Sequence, residues 1–272
     1  MDGSGVRYAE LPIDVALTPY VRLIWSLETD GAAAFGAPER IVPDGVFEVI
    51  FHYGTPFEMR FDGEPFKRQP KIAVVSQTQR FVEIRPFGPS GFISVRFQPW
   101  GMYHFVGVPL NEFADRLTPA EAMWGQEARI LTEQLRTTES MSRRSKLVQD
   151  FLLAKLRCHA KEPVETLVRA VWSRQERSRI GTLCRELGVS ERRLERTFAT
   201  ALGVTPKQFV RLARFLRACR LIRQGHQSTL AEAAHEAGYY DQAHCIAEFR
   251  AFAGMTPRAL VAAEKVAFLE ID

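Results

Sequence analysis

LCRELGVSERRLERTFATALGVTP (183–206) and AAHEAGYYDQAHCIAEFRAFAGMTP (233–257) carry the same punctuation at an offset of 51 residues. In each, a short helical stretch stops at a glycine, Gly188 or Gly238, where a left-handed backbone lets the chain turn sharply. Ser190 or Asp241 then offers a side-chain oxygen to the free amides of a second helix. That second helix would bury Leu194, Phe198 and Leu202 in the first copy, and Cys245, Phe249 and Phe252 in the second, with its opposite side outward. Both copies close on Gly-x-Thr-Pro (Gly203 to Pro206, Gly254 to Pro257): glycine stops one helix, threonine caps the next and proline fits its first turn. The repeat predicts helix, tight turn, helix, twice, at about 180–203 and 229–254.

Between the copies, PKQFVRLARFLRACRLIRQG (206–225) reads as one uninterrupted helix. Nineteen residues at ~1.5 Å each span roughly 28 Å, so two helices held at its ends could reach successive major-groove segments, which lie ~34 Å apart on one face of B-form DNA. Thr205 with Gln208, and Thr229 with Glu232, have the spacing of capping boxes. Arg211, Arg214, Arg217, Arg220 and Arg223 recur at threes along the long helix, so only some can face phosphate while others stay solvated.

Charge is distributed unevenly along the 272 residues. The net charge is only +4, yet residues 174–258 hold fifteen Lys and Arg against eight Asp and Glu, whereas residues 1–160 hold eighteen against nineteen. Of the fifteen late cations only Lys207 is lysine; arginine's planar fork suits phosphates and guanine edges. A solvated helical surface would have the same charge, so charge alone does not decide for nucleic acid.

From Pro19 to about Gln98 the pattern changes to short aromatic and β-branched runs broken by Gly, Pro and Asp, which predicts strands. VFEVIFHY (46–53) alternates, with Phe47, Val49, Phe51 and Tyr53 on a core face and Val46, Glu48, Ile50 and His52 on the other. FISVRFQ (92–98) repeats the scheme with Ile93, Val95 and Phe97 against Ser94, Arg96 and Gln98. The mixed second face either points to solvent or lines the inside of a barrel. After Pro99, NEFADRLTPAEAMWGQEARILTEQL and SRRSKLVQDFLLAKLRC space apolar residues at threes and fours, as helices do. HAKEPVE (159–165), with Pro163 breaking the pattern, is the candidate linker. The fold class expected is α+β: residues 1–165 as a β-sandwich or barrel-like domain, β-rich to about 98 and helical from about 100, then residues 166–272 as an all-α domain of two helix-turn-helix units joined by a long helix.

Cys158, Cys184, Cys219 and Cys245 lie far apart with no CxxC pair, so neither a zinc site nor a disulfide framework is indicated, and they read as small core residues. The opening MDGSGVRYAELPID has no basic leader with an apolar run, and no stretch reaches the ~18 apolar residues of a membrane span. A cytoplasmic protein, without membrane contact and without cofactor, is expected.

The segment from about 175 to 260 resembles the DNA-binding domain of the AraC/XylS family of transcription regulators. TLAEAAHEAGYYDQAHCIAEFRAFAGMTPRAL (229–260) follows the family's small-residue helix, Gly-aromatic turn, Asp-Gln-x-His start and Gly-x-Thr-Pro end. VPDGVFEVIFHYG (42–54) and GFISVRFQPWGMYHFVGVPLNEFADRLTP (91–119) are similar to the amino-terminal sensor region of some of these regulators. The resemblance implies double-stranded promoter DNA and RNA polymerase as partners, a small-molecule effector, activation as the commoner mode, and no enzymatic activity.

By the same resemblance Arg192, Glu195 and Arg196 would meet base edges, with Arg193 nearer the backbone. Arginine can bind guanine bidentately and glutamate can accept from a cytosine amine; the bland alternative is a surface lattice of ion pairs among Glu191, Arg192, Glu195 and Arg196. In the second copy Cys245 stands where the family usually has a large aromatic, and Ala247 where arginine is common. Gln242, Ala243, Ile246 and Ala247 then offer one adenine partner and apolar contacts for thymine methyls, with Arg250 on phosphate and His244 hydrogen-bonded at the helix start. Glu48, His52 and Arg96 form a possible ligand or metal trio, against the bland reading that they are simply solvated. Leu147, Phe151, Leu152 and Leu156 form a stripe fit either for a homodimer contact or for packing inside its own domain. Two other functions stand beside the effector-responsive regulator: a constitutive DNA-binding protein whose first domain only dimerises, and a cupin-type metalloenzyme, against which the missing HxH pair weighs.

Overall fold

The computed structural model describes residues 5–31, 37–157, 164–173, 180–225, 229–263 and 266–267. Strands β1 (Val6–Leu11), β2 (Val21–Thr29), β4 (Glu48–His52), β7 (Ile72–Val75), β9 (Ser90–Phe97) and β10 (Leu117–Pro119) build a six-stranded antiparallel sheet in the order β1-β2-β9-β4-β7-β10. A second sheet, in the order β11-β3-β8-β5-β6, comprises β3 (Glu39–Ile41), β5 (Glu58–Phe61), β6 (Lys67–Arg68), β8 (Val82–Arg85) and β11 (Val266–Ala267). All of its pairings are antiparallel except that of β11 with β3, by which a segment near the carboxy terminus joins the amino-terminal domain.

β9 is central and buried along its whole length because both its faces are covered. Ile93, Val95 and Phe97 join Val49 and Phe51 in the main core, against α1 (Glu121–Thr137) and α2 (Met141–Lys155). The opposite face looks toward the second sheet: His52 Nε2 lies 2.9 Å from Gln69 Oε1, and Leu117 packs on Met59, Phe61 and Val82. The mixed face therefore lines the inside of the sandwich. The solvated reading of His52 and Arg96 is corrected here, since they are 1% and 3% exposed.

Strands begin earlier than the alternation indicated, at Val6, because β1 is an exposed edge strand with little apolar signature. Helix is also not continuous from 100. Short 3-10 turns at Met102–Phe105 and Leu110–Phe113 are followed by β10, whose Thr118 pairs with Val74. Tertiary pairing overrides the three-four spacing there, and Pro119 has no amide to continue a helix. The stripe on α2 packs inside its own domain: Leu152 is fully buried, Leu147, Phe151 and Leu156 lie against the same core, and Phe151 meets Trp124 edge-on at 5.3 Å. Residues 159–163 of the proposed linker, and Cys158, lie outside the described residues; Val164 and Glu165 already belong to α3 (Val164–Ser173).

The helical domain continues with α4 (Ile180–Leu187), α5 (Glu191–Leu202), α6 (Pro206–Gln224), α7 (Leu230–Ala237), α8 (Gln242–Ala253) and α9 (Pro257–Ala262). Two cores form on one spacer. Phe209, near the start of α6, joins Leu194, Phe198 and Leu202 of α5; Phe215 and Cys219, further along, join Tyr239, Cys245, Phe249 and Phe252. No helix of the described residues is long and apolar enough to cross a membrane.

Candidate nucleic-acid interface

The turns that set the two outward helices are built by local chemistry. Ser190 accepts from the Arg193 amide and Asp241 from the His244 amide, capping α5 and α8. Gly188, Gly203, Gly238 and Gly254 all have positive φ, between 63° and 93°, and both capping boxes, Thr205 with Gln208 and Thr229 with Glu232, are formed. On α5, Leu194, Thr197 and Phe198 are buried while Arg192, Arg193, Glu195 and Arg196 are exposed. Among the described residues no ion pair joins Glu191, Arg192, Glu195 and Arg196, so the lattice that would have consumed this face does not form.

On α8, Gln242, Ala243, Ala247 and Arg250 are exposed and Ile246 is half-buried. Cys245 is buried among Phe249 and Phe252, and burial raises its thiol pKa to about 11, so it packs as a small apolar group. Cys219 is raised likewise by burial, and Cys184 by burial and then by the charges of Glu191 and Glu195. The backbone amide of His244 donates to Asp241, and its ring packs edge-on against Tyr239 at 5.2 Å. Sequence reasoning missed Tyr240, 87% exposed at the residue before the α8 cap; the repeated aromatic after Gly238 was the available signal.

The arginines of α6 divide as their spacing requires. Arg211 binds Glu248 of α8, Arg214 stacks over Tyr239 at 5.5 Å, and Arg220 and Arg223 are exposed.

The strand-rich domain touches the carboxy-terminal ends of both outward helices. At Gly203, which ends α5, an added Cβ would stand 2.9 Å from the Leu110 carbonyl. At Gly254, which ends α8, it would overlap the Phe81 ring. Arg40 lies over that ring at 4.0 Å and donates to the Ala253 carbonyl at 3.1 Å and to Glu83 at 2.8 Å. Burial alone would raise the Glu83 carboxyl pKa, but hydrogen bonds and charge from Arg40 and Arg60 hold it below the usual range.

Inside the sandwich, Arg96 donates to Asp44 and, at 3.3 Å, to Glu48, which also accepts from Ser94 at 2.6 Å and Trp25 at 3.1 Å. Burial opposes the Arg96 charge, and the two carboxylates outweigh it and raise its pKa. Thus Glu48 and Arg96 meet as the alternation allowed. His52 stands apart on Gln69, with its Nδ1 buried and unpartnered. Among the described residues no three His, Cys, Asp or Glu side chains converge as a metal would need.

A helix-turn-helix domain family matches residues 183–263, and a domain of unknown function (DUF6597) matches residues 10–119. No curated protein matches the chain. Among solved structures, ToxT from Vibrio cholerae O395 bound to (E)-4-(8-methylnaphthalen-1-yl)but-3-enoic acid is 10% identical over 94% of this chain and 97% of that one, with a TM-score of 0.46. ToxT from Vibrio cholerae in a P21 form is 10% identical over 94% and 97%, with a TM-score of 0.44. The AraC-like transcriptional activator CuxR is 13% identical over 79% and 87%, with a TM-score of 0.28. These likenesses are too distant to carry residue roles across.

Proposed function

From residues 183–263, an AraC-type helix-turn-helix domain, we propose that the protein is a sequence-specific, cytoplasmic transcription regulator of double-stranded promoter DNA, divided near residue 165 into a sensor and a reader. The observation that carries this reading is the pair of capped helices, α5 and α8, whose outward faces the fold itself leaves uncovered, that of α5 charged and that of α8 mostly small and apolar. Arg192, Glu195 and Arg196 would read base edges and Arg193 would contact phosphate. Gln242, Ala243, Ile246 and Ala247 offer little charge, so α8 would discriminate weakly and hold mainly through Arg250. Free amides at each helix start add to phosphate binding.

The sensor half would respond to a small-molecule effector, activation through RNA polymerase being the mode the AraC resemblance supports. Its contacts with the ends of both reading helices give an effector a physical route to the DNA. A constitutive regulator is the second reading, favoured by the self-satisfied Asp44, Arg96 and Glu48 cluster, which leaves no charge waiting for a ligand. Footprinting of the full chain on genomic DNA at low ionic strength tests the first half: a protected, sequence-defined site is expected, and blank lanes overturn it. Operator affinity with and without candidate effectors separates the two readings.

A further inference from the structure

Where β5 and β6 of the smaller sheet face β10 of the larger, the sandwich opens into a cleft of about 380 Å³. Its floor is apolar, with Met59 and Phe61 buried and Leu117 half-buried. Five cations line it, Arg60, Lys67, Arg68, Arg80 and Arg116, against two carboxylates, Glu64 and Asp115. Both carboxylates are engaged: Glu64 pairs with Arg80 at 3.0 Å, and Asp115 accepts from the Gln79 amide at 2.8 Å. Arg60 pairs with Glu83 at 2.6 Å, and Arg68 stacks on Phe87 at 4.1 Å. Among the described residues the side chains of Lys67 and Arg116 have no carboxylate or ring partner.

Edge strands carry lysine and arginine to repel a second chain, which accounts for Lys67 and Arg68 on β6. It does not account for Arg80 and Arg116, which reach the same cleft from two other segments. Lys67 and Arg116, left without a carboxylate beside an apolar floor, favour the entry of an anion, and a cleft of this volume takes a small ligand, not a polymer.

We propose that this cleft binds a small organic anion with two adjacent negative charges on a flat apolar body, held between Lys67 on β6 and Arg116, which leads into β10. On the opposite face of β5, Arg60 shares Glu83 with Arg40, and Arg40 holds the last turn of α8 at Ala253; the cleft stands apart from that grip and does not rest on the DNA-binding reading above.

Two anions serve as probes for titration calorimetry of the full chain in ordinary salt: phenyl phosphate for a phosphomonoester and phthalate for a dicarboxylate, with benzyl alcohol as the uncharged control. Binding of one anion per chain with Kd below about 1 mM is expected, weakened at least tenfold in Lys67→Ala/Arg116→Ala and unchanged in Arg129→Ala, a distant exposed cation. Whichever anion binds identifies the headgroup. The site is overturned if neither anion binds, if the double variant binds as well as the parent, or if benzyl alcohol binds equally. A chain that binds no DNA removes the regulator reading, while the calorimetry still decides the site.

Discussion

Arg211 on α6 grips Glu248 on α8 through its Nη2, 2.7 Å from one carboxylate oxygen, and its Nε, 3.2 Å from the other. This fork fixes the orientation of α8 on the spacer that also carries α5, because Glu248 follows directly on Ile246 and Ala247 yet points inward. The guanidinium is partly exposed and the carboxylate largely covered, so the pair is of intermediate strength. Arg211→Met, which strands the carboxylate, should cost about 1–3 kcal/mol, and Glu248→Gln, which keeps an acceptor, should cost less. Urea denaturation of both variants checks this; equal costs would mean that the charge is hydrated.

Gly254 and Gly225 form a matched pair of helix ends, with φ of 68° and 65°. A methyl at Gly225 meets nothing, whereas one at Gly254 overlaps Phe81 of the other domain. Gly225→Ala should cost about 1 kcal/mol of backbone strain. Gly254→Ala should cost about 1–3 kcal/mol more through overpacking and should loosen the contact between domains. Denaturation curves give the difference, and the extra loss should shrink in a Phe81→Ala background.

If α5 and α8 read DNA as proposed, they should respond differently to loss of an arginine. Arg196→Ala should relax preference at one base position by about 1–3 kcal/mol. Arg250→Ala should weaken binding to all sequences alike and lower the salt dependence by about one counterion. Selection from a randomised site library, at two salt concentrations, distinguishes them. Uniform loss for Arg196→Ala would remove it from the base readers.

The helical half was legible because caps, stop glycines and capping boxes act within a few residues: Ser190, Asp241, Gly203 and Gly254 do locally what their residue types require. The strand half was legible in its core alternation and not beyond. The pairing of Arg96 with Glu48 joins strands 48 residues apart, so a charged face looked solvated when each charge had its partner across the ladder. β10 was hidden inside a helical spacing that only its pairing with β7 overrides. The cationic cleft draws on several separate segments, and no single stretch displays it.

His52 gives the chain a specific response to acid. Its pKa is lowered to about 4, chiefly by burial and further by the Lys71 charge, with the Gln69 hydrogen bond opposing. Phe92 closes the site edge-on at 5.6 Å. In the unfolded chain the ring titrates near ~6.5, so between those values the unfolded state binds a proton that the folded state refuses. The stability His52 leaves intact at neutral pH is therefore lost as pH falls below ~6.5, by about 2 kcal/mol at pH ~5 and about 3 kcal/mol near pH ~4. His52→Gln removes the titration while keeping a polar group beside Gln69. The stability difference between parent and variant, from urea unfolding, should swing toward the variant by about 2 kcal/mol between pH ~7 and ~5, whatever the variant costs at neutral pH. Parallel profiles would mean that water reaches the ring and that the interior behind β4 is wetter than its packing implies.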